Sequence, residues 1–220
     1  MRKQISKLIV ILLSLFLASS CEKEVPLAPD KPVTIETFPD KLGSQWIYHM
    51  VDNLQIIDPN KPEIKIDTVA ASISERLTDP DAGEATIWRY NINNGLSIIR
   101  PVFFNEDTVY IYWNWPNRDR IGLVFPFEEK DKWRTGGILS GDETTVTDVI
   151  TATIPGSLFE NVYVLENKTR TIVSTDSKRT ITLWYVPNLG FIKIHIHEEH
   201  AQSVGDTTWT LVDHNFSDFD

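Results

Sequence analysis

One cysteine, Cys21, is all that a chain of 220 residues contains, and this scarcity closes several routes at once. A lone thiol forms no intrachain disulfide and cannot assemble a Cys-based metal site. The Gly-x-Ser-x-Gly and Ser-x-x-Lys spacings of serine nucleophiles are absent too. No apolar run reaches the about twenty residues that a bilayer-spanning helix needs. Positive charge is also scarce: 21 Lys and Arg face 31 Asp and Glu, for a formal net charge of −10. Without clustered cations there is nothing to hold nucleic-acid phosphates, so that class of partner is excluded. Adjacent carboxylates such as Glu128-Glu129 and Glu198-Glu199 point to opposite faces of a strand and read as charged surface. With no catalytic dyad singled out by spacing, the chain is read as a non-enzyme that carries no cofactor.

What is present begins with an address. Arg2, Lys3 and Lys7 form a positive start, and Leu8 to Ala18 an apolar run of about eleven residues broken only by Ser14. Ala18, Ser19 and Ser20 follow, then Cys21, which is the order of an export signal that is removed. Leu17-Ala18-Ser19-Ser20-Cys21 resembles a bacterial lipobox, with Ala18 at the place usually held by Leu. The resemblance implies that Cys21 becomes the acylated N-terminus, carrying palmitate-type chains. At ~0.8 kcal/mol per buried methylene, two or three chains anchor a protein stably. Removal of residues 1–20 takes away three positive charges and moves the net charge from −10 to −13.

Glu22 to Thr37 carries Pro26, Pro29 and Pro32 and shows no hydrophobic period, so it reads as a semi-extended tether. Its sixteen residues, at ~3.3 Å each, reach at most roughly 50 Å. The acidic start at Glu22 and Glu24 resembles short export signals of surface-exposed Bacteroidota lipoproteins. The organisation expected is therefore a signal peptide (1–20), a lipidated Cys with its tether (21–37), one domain (38–216) and an acidic tail (217–220). The location expected is the cell envelope, lipid-anchored at the outer membrane, either facing the periplasm or displayed at the surface.

The domain repeats with a period of two. Strand-like runs are Trp46 to Ile57, Ile64 to Leu77, Ala85 to Ile92, Thr108 to Trp113, Ile121 to Phe125, Thr145 to Ile154, Val162 to Val173, Thr180 to Val186, Phe191 to Glu198 and Thr207 to Asp213. Turn chemistry separates them, as at Asp79-Pro80-Asp81-Ala82-Gly83 and Asn188-Leu189-Gly190. Such spacing predicts an all-β fold: a single antiparallel meander, strongly bent or barrel-like, with little helix. Only Phe127 to Trp133 and Ser157 to Asn161 are read as single helical turns.

Three segments carry a resemblance. Phe38-Pro39-Asp40-Lys41-Leu42-Gly43-Ser44-Gln45-Trp46-Ile47-Tyr48 is similar to the "FPLKVGNKWTY" opening of many exported bacterial domains. Ile154-Pro155-Gly156-Ser157-Leu158-Phe159-Glu160-Asn161-Val162 resembles their "VPAGTFENV", and Trp184 to Lys193 their "WYAPGVGLVK". The resemblance implies a secreted or lipid-anchored all-β domain of Bacteroidota type and carries over no catalytic residue.

Two constellations are candidates for binding. In FIKIHIHE, Ile192, Ile194 and Ile196 share one face, while Lys193, His195 and His197 share the other. Histidines two apart on a strand point the same way, yet zinc needs three or four protein ligands. The pair is read as a solvated strand face with no metal, and His195, His197 and His200 are the candidates should an ion be held. The run Val109 to Pro116 is apolar on both faces. Either both faces are covered, or Tyr110, Tyr112, Trp113 and Trp115 form a platform for sugar rings or a partner. Asp67-Thr68, Asp107-Thr108 and Asp206-Thr207 also resemble the short acceptor pattern of Bacteroidota O-glycosylation. The function expected is a non-catalytic binding or scaffolding role for a lipid-anchored protein. The alternative is a carrier of a small apolar ligand in a half-open barrel; a metal-binding or hydrolytic enzyme comes last. Partners expected are the membrane, through the lipid, and a glycan, small apolar ligand or envelope protein.

Overall fold

The structure is a computed structural model and describes residues 33–56, 63–79, 83–93, 95–114, 119–135, 142–170, 178–200 and 203–215. Cys21, most of the tether and the acidic tail lie outside them. A 3₁₀ turn at Ile35–Thr37 leads into twelve strands. They are β1 (Gln45–Ile56), β2 (Glu63–Asp79), β3 (Gly83–Ile92), β4 (Ser97–Asn105), β5 (Thr108–Asn114), β6 (Asp119–Val124), β7 (Lys132–Arg134), β8 (Glu143–Ile154), β9 (Ser157–Arg170), β10 (Lys178–Val186), β11 (Gly190–His200) and β12 (Ser203–His214). All pairings are antiparallel, in the order β6-β5-β4-β3-β2-β1-β12-β11-β10-β9-β8-β7. The first and last strands therefore pair at the centre, with Trp46 opposite His214 and Ile56 opposite Ser203. The meander is the one the alternation predicts, and it curls into a nearly closed barrel.

Closure brings the edge strands β6 and β7 alongside each other without a ladder between them. Trp133 Nε1 donates to the Gly122 carbonyl at 2.7 Å, and the Gly122 amide donates to Thr135 Oγ1 at 3.0 Å. A Cβ at residue 122 would overlap the Thr135 side chain, so only glycine permits this approach. Side chains thus do at the seam what backbone pairs do elsewhere, and the two edges are withdrawn from stray pairing.

The largest fully buried side chains of the interior are aromatic. Trp46 and Trp88 stack at 4.8 Å between ring centroids, and Phe38 lies parallel to Tyr185 at 6.1 Å and 9°. Polar ends of these large groups are spent on backbone carbonyls: Trp46 Nε1 donates to Leu189 at 2.7 Å and Tyr48 Oη to Phe191 at 2.8 Å. Tyr185 Oη donates to Thr37 at 2.8 Å. Each bond matches a buried donor with an acceptor and fixes the position of a loop.

Three expectations need correction. Ser157 to Asn161 is not a helical turn but the start of β9, where register shifts against β8 and a φ of 54° at Asn161 produce a bulged strand. Phe127 to Trp133 is likewise no helix: Phe127 makes an isolated bridge to Val33, and Trp133 belongs to β7. The strand β4 was hidden by Pro101, which lacks a ladder donor. The β4–β5 ladder runs only from Val102 to Asn105, so no donor is required from Pro101 on that side.

Candidate functional site

The opening of the domain folds back over one end of the barrel. Tyr185 Oη and the Asn188 amide both donate to the Thr37 carbonyl, the latter at 2.7 Å. This places Phe38 inside as a plug, with its ring against Trp88, Phe104, Phe125, Tyr185 and Phe191. Beside the plug lies a half-open cleft of about 530 Å³. Ile35, Glu36, Phe38 and Asp40 form one side, Arg76 comes from the end of β2, Glu84, Ala85 and Thr86 from the start of β3, and Phe104 from the end of β4. The cleft lies between the 3₁₀ turn and the strand ends, beside Phe38, which is buried in the core together with Val33 while Ile35 packs against it.

Its chemistry is mixed. Phe38 and Phe104 meet edge to face, 5.9 Å apart at 70°, and give an apolar corner. Asp40 pairs with Arg76 at 3.4 Å on an exposed rim, whereas Glu36 and Glu84 make no ion pair among the described residues. A hydrogen bond from the Thr34 side chain holds the Glu36 carboxyl below the usual carboxylate range. Thr86 is 3% exposed, and its Oγ1 is buried with no hydrogen-bond partner. A buried hydroxyl left unmatched costs free energy that a ligand or a water can recover. Sequence reasoning placed none of these residues in a site. Phe104 lay in the unrecognised strand, and Thr86 looked like any strand threonine.

The histidines do lie on the outer face, opposite Ile192, Ile194 and Ile196, which point inward in register with Leu183 and Ile181 of β10 and Trp209 of β12. His195 Nε2 and His197 Nδ1 both meet Asp206 Oδ1, at 3.1 and 2.8 Å, and His197 Nε2 meets Glu199 Oε1 at 3.3 Å. The hydrogen bond that His197 donates to Asp206 raises the His197 pKa, more than its slight burial lowers it. Burial alone would raise Asp206, but the bonds from His197 and His195 leave it lowered. His200 ends β11 and sits 3.8 Å from Glu198, away from the other two. Among the described residues no group of three His, Asp or Glu is arranged to hold a metal ion.

The aromatic strand resolves face by face. Val109 and Ile111 are buried in the main core, and Tyr112 on the other face is only 7% exposed. Tyr112 packs on Phe103 at 5.3 Å, and Arg120 covers Tyr110 at 4.4 Å while donating to Tyr112 Oη at 3.2 Å. The Trp113 side chain and Trp115 lie outside the described residues. Of the Asp-Thr pairs, Thr108 is buried with its hydroxyl on Asp107, and Thr207 Oγ1 donates to Asp52 Oδ1 at 2.9 Å. One further charged group was missed: Arg100 of β4 is 3% exposed, its guanidinium 4.7 Å above Tyr90 and 5.3 Å from Trp209. A cation at an inward position between Ile98 and Val102 was the available signal.

No protein-family model matches the chain, and no curated protein does. Among solved structures it is similar to a proposed exported protein with a YmcC-like fold from Bacteroides fragilis, at 14% identity and TM-score 0.44, over 84% of this chain and 100% of that one. It is also similar to a proposed lipoprotein from Parabacteroides distasonis, at 13% identity and TM-score 0.46, again over 84% of this chain and 100% of that one. A third likeness, to a proposed outer membrane lipoprotein-sorting protein domain from Vibrio parahaemolyticus, has 11% identity and TM-score 0.27, over 83% of this chain and 88% of that one. At these values the likenesses assign neither family nor function.

Proposed function

We propose that this is a lipid-anchored protein of the cell envelope that binds a small molecule without transforming it. The observation that carries the binding role is the cleft of about 530 Å³ beside Phe38, of a size that suits a small ligand. A barrel plugged by aromatic rings at this end offers room for a ligand at its rim, beside the plug. The envelope location rests on the export signal and on Cys21, with the Pro-rich tether entering the described domain at Val33. The acidic body suits a domain held away from anionic lipid.

A fragment screen followed by amide NMR shifts tests the cleft. Hits should perturb Glu36, Glu84, Thr86 and Phe104 together, and Phe104→Ala should weaken them by about tenfold or more, as expected when an aromatic wall is lost. Hits gathered instead on Tyr110 and Tyr112 would move the binding role to the outer aromatic face and defeat this reading.

A further inference from the structure

We propose that the ligand of this cleft is an organic cation, an ammonium or amidinium group joined to a compact apolar body; this rests on the reading that the cleft binds a small molecule. Three carboxylates, Glu36, Asp40 and Glu84, line it against one guanidinium, Arg76, which Asp40 already occupies at 3.4 Å. Glu36 and Glu84 are left uncompensated on its rim. Carboxylates alone would be ordinary solvated surface. The buried Thr86 hydroxyl changes that, because it lacks a partner at the wall of the same cleft. An N–H of the ligand can donate to Thr86 Oγ1, and a cation can also rest against the faces of Phe38 or Phe104.

Competing ligand classes fit less well. An anion would meet two unpaired carboxylates in a protein whose net charge is already −10. A hydrocarbon would satisfy the phenylalanines but leave the Thr86 hydroxyl unmatched. A bare metal ion would find phenyl rings where it needs oxygen or nitrogen ligands.

The test titrates the full chain in phosphatidylglycerol nanodiscs with phenethylamine, 2-phenylethanol and 3-phenylpropionate, read by calorimetry and by the amides of Thr86 and Phe104. Phenethylamine should bind about tenfold more tightly than the alcohol, with the acid weakest. Glu36→Gln with Glu84→Gln should bring the amine down to the alcohol's affinity; both side chains are exposed, so the fold is spared. The double variant also corrects for amine partitioning into the lipid. Equal binding of amine and alcohol, or preference for the acid, would overturn the cationic assignment while leaving the cleft as a binding site. Failure of all three probes to move Thr86 and Phe104 would remove the binding reading itself. Phosphatidylethanolamine added to the nanodisc separates two sources of the cation: competition assigns it to a lipid headgroup, and its absence to a free amine. In either case the dependence on Glu36 and Glu84 must hold.

Discussion

Gly190 shows at the scale of one residue why the opening segment and the Trp184 to Lys193 segment go together. Its φ of 94° lies where side chains are strained, and an added Cβ would stand 3.0 Å from Pro39 Cγ and 3.8 Å from Trp46 Nε1. The turn that carries Gly190 also supplies the Leu189 carbonyl to Trp46, so the two segments hold each other. Gly190→Ala should destabilise the domain by ~1–3 kcal/mol and lower the thermal midpoint by at least about 2 °C, measurable by calorimetry. An unchanged midpoint would mean that the turn relaxes freely. His197 supplies a second residue-scale expectation. Its folded pKa is raised, so its bond to Asp206 stabilises fully below about pH 6.5 and the gain is lost as pH rises through the raised value. Half-exposure limits the effect to less than ~1 kcal/mol. Urea titrations should show wild type losing stability between pH 5.5 and 8.5, and His197→Ala should flatten that slope; an identical slope in the variant would assign it to other groups.

At the scale of elements, the seam between β6 and β7 is the feature no strand pattern announces. A three-residue strand, Lys132–Arg134, would be negligible by length, yet its Trp133 and the Thr135 that follows it grip both backbone groups of Gly122. Gly122→Val should expel Thr135 and open the seam while the central strands stay paired. Hydrogen exchange at Ile121 and Leu123 should then accelerate roughly tenfold, with β1 and β12 unaffected. Uniform protection in the variant would show that closure does not depend on this contact. The missed β4 and the misread start of β9 have one cause: Pro101 and the bulge near Asn161 break the period-two signal locally, and pairing with already formed neighbours restores the strand.

For the whole molecule, the proposed lipid anchor at Cys21 is the feature to test. Cys21→Ser should abolish incorporation of an alkyne-tagged fatty acid, seen as loss of label on the purified protein; retained label would place acylation elsewhere. Much of the fold was legible in the chain. Alternation of apolar and polar residues determined the all-β meander, because a period of two leaves strands as the only way to bury one face. It also determined that Ile192, Ile194 and Ile196 point inward while His195 and His197 point outward. Tertiary structure alone decided that β1 pairs with β12, that Gly122 closes the barrel, and that Glu36, Thr86, Glu84 and Phe104 share one cleft. Periodicity reports which face of its own strand a residue occupies. It carries no information about which distant strand end will lie opposite, and a cleft built from four separate segments depends on that.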